Sequence, residues 1–147
     1  MTRRPARATA AARQSYLSFV AGGARFGVPL DRVHAAAQLG SLTPLPGAPP
    51  EYAGLSLVRG APVGVLDAAR ALGLPPCGSP RARPVLILFD GDPRALLVDR
   101  VDGIEEIDAG RIAPPPPGSS RVSGLVPEEG RFLSLVDVDA LLGGGGP

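Results

Sequence analysis

The chain has 147 residues, of which 44% are apolar and 20% are charged. Its 20 Gly and 18 Pro indicate many turns, but the low charge and the high apolar content favour a folded domain over a disordered chain. No apolar run approaches the roughly 20 residues that a membrane helix needs, so we expect no direct membrane insertion. The single cysteine, Cys77, cannot form an internal disulfide, which is consistent with a cytoplasmic protein.

The basic residues, all of them Arg, are unevenly distributed along the chain. Four of the fifteen lie within residues 1–14, which we predict to be a disordered basic arm. The rest of the chain carries eleven arginines against fourteen carboxylates. Because strong nucleic-acid binding requires a basic face that displaces counterions from phosphates, we expect no nucleic-acid partner.

The first elements after the arm have the pattern of a β-hairpin. Residues 16–20 are strand-like, a glycine-containing turn follows, and residues 25–30 alternate apolar and polar positions. Pro29 cannot donate to a strand ladder, so this pattern places the second strand at an edge or a bulge.

Further short apolar runs and two short helical segments follow in order. The strand-like runs are residues 55–58, 63–66, 85–89, 95–98 and 132–136, and the helical segments are 67–73 and 137–143. Each helical segment begins with an aspartate, Asp67 or Asp137, that we interpret as an N-cap and not as part of a catalytic carboxylate pair. Many short strands between turns predict an all-β protein built as a sandwich or as barrels. The glycine-rich residues 143–147 are predicted to be a flexible tail.

An internal repeat supports a fold of two related units. The tetrapeptide at residues 30–33 resembles residues 98–101 at an offset of 68, and residues 44–73 share a series of Pro, Gly, Asp and aliphatic positions with residues 114–143 at an offset of 70. We therefore expect two homologous β units of about 60–70 residues. Because so small a unit buries little of its surface, the two should pack together and act as one body.

Few side chains are available for chemistry. His34 is the only histidine, and together with Cys77 it does not form a recognisable nucleophile–base set. Glu105, Glu106 and Asp108 form an acidic cluster, which we interpret as a solvated turn and not as a metal site. We therefore expect no enzymatic activity, no metal and no cofactor.

Recognition by surface shape is the remaining possibility, and Arg59-Gly60 is its most specific candidate. An arginine at a strand end can form a forked, charge-assisted hydrogen bond with a partner's carboxylate. The alternative is a surface arginine that precedes a turn glycine.

The order of these motifs resembles that of the CheW-type chemotaxis coupling proteins, over about residues 15–142. The resemblance rests on the order and spacing of several short motifs, namely Phe26-Gly27-Val28, the Pro-containing residues 43–49, Tyr52-Ala53-Gly54, Val58-Arg59-Gly60, residues 63–67, residues 96–101 and residues 133–142.

This resemblance implies two tandem five-stranded SH3-like barrels packed together, the first at about residues 15–80 and the second at about 81–142. It implies a non-enzymatic adaptor that couples the cytoplasmic tip of a methyl-accepting chemoreceptor to the regulatory domain of a CheA-type histidine kinase. The residues at the matched receptor- or partner-binding positions are Val33, Ala35, Gly54, Leu57, Val58, Arg59 and Gly60.

Four positions depart from the family pattern. Ala35 occupies a position where Glu is common, Leu57 one where Asn is common, and Gly64 and Ala68 replace a usual Pro and Leu. These departures indicate a diverged coupling protein. The alternative is a double-barrel module that binds a different protein, a small molecule or a nucleic acid outside chemotaxis.

Overall fold

A computed structural model describes residues 13–74 and 85–143 of the chain. Within these residues there are ten β-strands and two short α-helices. The strands are β1 (Arg13–Ala21), β2 (Ala24–Pro29), β3 (Val33–Gln38), β4 (Tyr52–Val58), β5 (Ala61–Asp67), β6 (Val85–Phe89), β7 (Arg94–Val98), β8 (Arg100–Asp108), β9 (Val122–Glu128) and β10 (Arg131–Val136); the helices are α1 (Ala68–Ala71) and α2 (Val138–Gly143).

The strands form two five-stranded sheets, which we name barrel A and barrel B. Barrel A has the strand order β8-β1-β2-β10-β9, and barrel B has the order β3-β6-β7-β5-β4. The expected all-β architecture with two five-stranded sheets and two short helices is confirmed. Among the described residues, no helix has both the length and the apolar character needed to cross a membrane.

The division of strands between the barrels differs from the expected one. Barrel A combines β1 and β2 with β8, β9 and β10, whereas barrel B combines β3, β4 and β5 with β6 and β7. The boundaries at about 15–80 and 81–142 therefore do not separate the barrels, because each half of the chain supplies strands to both. The physical reason is a pair of parallel contacts between the halves, β2 with β10 and β5 with β7. A repeat in the sequence reveals equivalent strands, but not which copy each strand pairs with.

The predicted repeat is present in the geometry of the two barrels. Gly54 pairs with Val65 in the hairpin β4–β5, and Gly124 pairs with Leu135 in the hairpin β9–β10, at an offset of 70 residues. Both hairpins have a register shift at the corresponding place.

The two helices also begin in equivalent ways. The Asp67 carboxylate accepts a hydrogen bond from the Arg70 backbone N–H at 3.3 Å, and the Asp137 carboxylate accepts one from Ala140 at 3.0 Å. Their predicted role as N-caps is confirmed.

The principal core lies between the barrels. The Phe19 and Phe26 rings stack with their centroids 5.6 Å apart, and buried side chains from the other barrel, including Ile87 and Leu96, belong to the same cluster. Buried residues of both helices join this cluster, and each barrel has a smaller apolar cluster of its own. Burial of each such large side chain contributes about 2 kcal/mol, so the shared core holds the barrels together as one body.

Two details of the first hairpin differ from the sequence prediction. Strand β2 is central in its sheet and not at an edge. The proline is compatible with this position because Pro29 lies beyond the segment of β2 that pairs with β10, so its missing N–H disturbs no bond there. Strand β1 already begins at Arg13, which pairs with Asp108, so the predicted arm at 1–14 extends at most to residue 12.

At the other end, Gly143 belongs to α2 and not to the predicted tail at 143–147. Residues 1–12, Cys77 and residues 144–147 lie outside the described residues.

Candidate partner-binding site

All seven candidate site residues belong to barrel B or to its turns. Two lie on β3 at one end of the strand order, and the other five lie on β4 at the opposite end or in the turn that follows it. They are Val33 and Ala35 on β3, Gly54, Leu57 and Val58 on β4, and Arg59 and Gly60 in the β4–β5 turn.

The exposed part of the site is the end of the β4–β5 hairpin. The Leu57 residue is 67% exposed, and its cross-strand partner Pro62 is also exposed. Paired residues on neighbouring strands project from the same face, so Leu57 and Pro62 form one apolar surface. Arg59 is exposed at the tip of the same hairpin. We name Leu57, Arg59 and Pro62 the hairpin patch.

The turn that presents Arg59 has an uncommon backbone. Arg59 has a φ of +53° and Gly60 a φ of +81°, and they connect the paired residues Val58 and Ala61. A two-residue hairpin loop with both φ values positive suits Asn-Gly, whereas a left-handed arginine costs about 1 kcal/mol. Within the described part of the chain, Arg59 is the only non-glycine residue with a positive φ, and its side chain has no hydrogen bond or ion pair there.

Two of the candidate residues have packing roles. A Cβ atom on Gly54 would lie 2.4 Å from the Thr43 carbonyl oxygen, because the segment before β4 crosses directly over this glycine. Thr43 and Leu55 exchange backbone hydrogen bonds of 2.8 and 2.7 Å at this crossing. Val58 packs against the interior cluster of barrel B. Neither residue therefore presents a side chain on the hairpin patch.

The two β3 residues are separate from the hairpin patch. Val33 is partly buried against the core between the barrels, and Ala35 is partly buried opposite Leu88 of β6. The structure therefore brings Leu57, Arg59 and Gly60 together on one exposed hairpin, but it does not place Val33 or Ala35 in that surface.

Sequence analysis missed the equivalent surface on barrel A. Phe132 is 54% exposed and pairs with the exposed Pro127. These two residues correspond to Pro62 and Leu57 at the repeat offset of 70. The repeat itself is the signal that could have identified them.

The groups that could have suggested chemistry are accounted for by local contacts. His34 Nδ1 lies 3.2 Å from the Asp90 carboxylate, and both side chains are 57% exposed. The Asp108 carboxylate accepts a hydrogen bond from the Gly110 N–H at 3.0 Å. Among residues 13–74 and 85–143, no group of three His, Cys, Asp or Glu side chains could hold a metal ion.

The strongest electrostatic cluster lies in barrel A. The Arg25 guanidinium, which is 11% exposed, contacts Asp102 and Glu105 of β8 and Glu128 of β9, each at 2.9 Å. The hydrogen bond from Arg25 lowers the pKa of Glu105, and the hydrogen bond from Arg100 lowers that of Asp102. Since β8 and β9 are the two ends of the strand order, Arg25 links the edges of the barrel.

Two barrels with a shared core and exposed hairpins define a class of protein suited to binding other proteins through its surface. A family model described as "CheW-like domain" matches residues 15–144. The chain belongs to this family, whose members are non-enzymatic scaffold and coupling proteins of chemotaxis-type signalling.

Individual relatives agree with this assignment. Protein FrzA of Myxococcus xanthus is 34% identical over 145 residues, covering 92% of this chain and 89% of that protein. The crystal structure of the scaffolding protein TtCheW from Thermoanaerobacter tengcongensis superimposes with a TM-score of 0.76 at 23% identity, over 87% of this chain and 91% of that one. The resemblance inferred from the sequence and the fold of two SH3-like barrels are both confirmed.

Proposed function

We propose that this chain couples a methyl-accepting chemoreceptor to a CheA-type histidine kinase in the cytoplasm, by binding the receptor's cytoplasmic tip and the kinase's regulatory domain without catalysing a reaction. Membership of the CheW-like family supports the general role. The observation that carries the proposed contact is the hairpin patch, in which exposed apolar side chains lie beside an arginine without an ion pair among the described residues.

The receptor contact is a helix laid against the hairpin patch. The receptor's cytoplasmic tip is helical, and an amphipathic helix offers an apolar stripe with charged residues at its margins. Leu57 and Pro62 contact the stripe, and Arg59 pairs with a carboxylate at its edge. Leu57 of the patch stands where the family commonly has Asn. This favours a receptor surface that is more apolar than usual at this contact.

Coupling requires more than simultaneous binding. A partner changes a kinase equilibrium only if it binds the active and inactive states with different affinities. The individual contacts of an exchangeable adaptor are expected to be micromolar, about −8 kcal/mol, with avidity supplied by several contacts in an assembly.

The receptor contact is tested by titrating a receptor-tip fragment into purified variants in a calorimeter. Arg59→Glu reverses the charge at the patch and is expected to weaken binding at least about tenfold, because it places like charges in contact. Arg59→Asn preserves the left-handed turn and is expected to weaken binding less. Arg111→Glu, on an exposed turn of the other barrel, is the matched control and should bind normally.

Normal receptor binding by a folded Arg59→Glu protein would refute the assignment of this contact. The coupling role itself is tested by measuring kinase autophosphorylation with receptor present, with and without this chain. An unchanged rate would argue against coupling and leave the alternative of a module outside chemotaxis.

A further inference from the structure

A cleft of about 440 Å³ lies between the end of α1 and the loop before β9, away from the hairpin patch. Its lining includes Arg70 from α1, Arg121 from the loop, and the neighbouring Ser119 and Ser120. The cleft therefore combines two guanidinium groups with two hydroxyl groups, which are side chains that bind phosphate oxygens.

Most of the donors in this cleft are not used by the fold. Arg70 donates one side-chain hydrogen bond, to the Pro50 carbonyl at 3.3 Å. Arg121 donates to the Ala71 carbonyl at 2.6 Å and lies 3.5 Å from the Glu51 carboxylate. Each guanidinium has five N–H donors, so several remain on both arginines.

The carbonyl groups at the end of α1, which would repel an anion, are already bound. Those of Ala68, Ala69 and Arg70 accept backbone hydrogen bonds at 3.0, 2.7 and 3.1 Å, and that of Ala71 accepts the bond from Arg121. The four carbonyl oxygens of α1 that would otherwise face an incoming anion therefore already have hydrogen-bond donors.

The internal repeat provides a comparison within the molecule. A partly equivalent cleft lies beside α2, where Ala48, Pro49 and Leu142 correspond to Gly118, Ser119 and Leu72 of the first cleft. The residues at the repeat positions of Arg70, Ser120 and Arg121 are Ala140, Pro50 and Glu51, and they do not line it. The partly equivalent cleft is lined mainly by apolar residues, and its one arginine, Arg94, is already paired with the Asp92 carboxylate at 2.8 Å. Since the backbone is shared, the basic and hydroxyl side chains of the first cleft are not required by the fold.

We propose that the cleft beside α1 binds a phosphate group carried by a small molecule or by a peptide. Arg70 and Arg121 hold the phosphate oxygens, and Ser119 and Ser120 donate hydroxyl hydrogen bonds to them. Glu51 competes for Arg121 and limits the affinity. The proposal is independent of the coupling role, because it uses a different surface.

The test is an NMR titration of the ¹⁵N-labelled full-length protein with inorganic phosphate, and with pyrophosphate, at constant ionic strength and pH. The amide resonances of Gly73, Ser119 and Ser120 are expected to shift and to saturate. Arg70→Ala should weaken binding about tenfold, since it removes one of the two guanidinium groups that form charge-assisted hydrogen bonds with the phosphate. Glu51→Gln should tighten it.

The matched control is Arg111→Ala, which removes an exposed arginine that likewise donates to a backbone carbonyl, that of Pro127. It should bind phosphate normally. Shifts that chloride reproduces, an equal loss in Arg111→Ala and Arg70→Ala, or no tightening in Glu51→Gln would each overturn the proposal.

The source of the phosphate group is tested with a phosphoserine peptide and its unphosphorylated form. If the phosphopeptide binds more tightly than inorganic phosphate, the phosphate group is carried by a peptide. If the phosphopeptide and inorganic phosphate bind equally, the ligand is a small molecule. Equal binding of the two peptides would contradict recognition of phosphate.

Discussion

Gly54 allows the chain to cross β4, because it has no side chain at the crossing. The backbone of Gly54 has a φ of +148°, and the Thr43 carbonyl occupies the space of a side chain. The same arrangement occurs at Gly124, where a Cβ would lie 2.5 Å from Ile112 Cγ2. The glycine in each repeat leaves room for the segment that crosses its strand.

We predict that Gly54→Ala destabilises the protein by about 3 kcal/mol, through the clash with Thr43 and the strained backbone together. Gly47→Ala separates the two causes, because Gly47 has a φ of +80° but no atom within 4 Å of the added Cβ. That control should lose only about 1 kcal/mol. Urea denaturation measures both, and equal losses would contradict the role of the crossing.

At the residue scale, the sequence predicted the positions of turns better than the directions of individual side chains. The motif Val58-Arg59-Gly60 correctly predicted an exposed turn, and Arg59 and Gly60 are both exposed there. Val58 points inward, against the interior cluster of barrel B. The close packing at Gly54 is caused by the segment around Thr43, which lies before β4 in the chain and crosses over it. Period-two alternation contains no information about such a crossing.

A single arginine from a third strand bridges strands β8 and β9, which also share a small apolar cluster. Arg25 of β2 contacts two carboxylates on β8 and one on β9. The lowered pKa values of Glu105 and Asp102 show that the folded state favours their charged forms. Their stabilising contribution is therefore complete above the ordinary carboxyl pKa values of 4.5 and 3.8, and it decreases as the pH falls through the lowered values.

We predict that Arg25→Met destabilises the protein by about 3 kcal/mol at pH 7, because three partly buried carboxylates lose their shared cation. Acidification protonates Glu105 and Asp102, whose pKa values are lowered in the folded state, so the difference in stability between the variant and the unmodified protein should shrink below about pH 4.5. Arg131→Met removes a 62% exposed partner of Glu128 and should change stability by less than about 1 kcal/mol. Urea denaturation from pH 3 to pH 7 is the measurement, and a difference independent of pH would exclude this explanation.

Seven of the ten strands were predictable, because each contains a short apolar run next to a turn signal. Strands β3, β8 and β9 were missed, because small, charged or turn-forming residues interrupt their apolar pattern. The acidic residues 105, 106 and 108, which were interpreted as a solvated turn, lie on β8. The hairpin β1–β2 and the helix caps at Asp67 and Asp137 follow directly from local sequence. The Arg25 cluster was not predictable, because its carboxylates lie 77 to 103 residues away in the sequence. The central position of β2 depends on the equally distant pairing with β10.

The whole molecule consists of two repeats that exchange strands. Each barrel takes two strands from one half of the chain and three from the other, and the core between the barrels combines both halves. The sequence revealed the duplication, but pairing within a copy and pairing between copies satisfy the same local pattern. Contacts between the two halves of the chain decide which strands pair with each other. These long-range contacts cannot be recognised from the pattern of a single sequence.

We predict that residues 1–80 and 81–147, expressed separately, each fail to fold, because neither fragment contains the five strands of a barrel. Mixed in equal amounts, they should complement each other and recover the dispersed NMR spectrum of the intact chain. A well-dispersed spectrum from either fragment alone would contradict the exchanged topology. For the intact chain, the shared core predicts one cooperative unfolding transition.

The exchange of strands also sets an order for folding during synthesis. Barrel B has all five of its strands once β7 has left the ribosome, whereas barrel A is completed only by β10, close to the end of the chain. The hairpin β1–β2 is translated before the other strands. Its apolar side chains stay exposed to water until its partners β8 and β10 have been translated, about a hundred residues later. Among the ten strands, those of this hairpin therefore remain without their partners longest during synthesis, and exposed apolar surface of this kind is prone to aggregation.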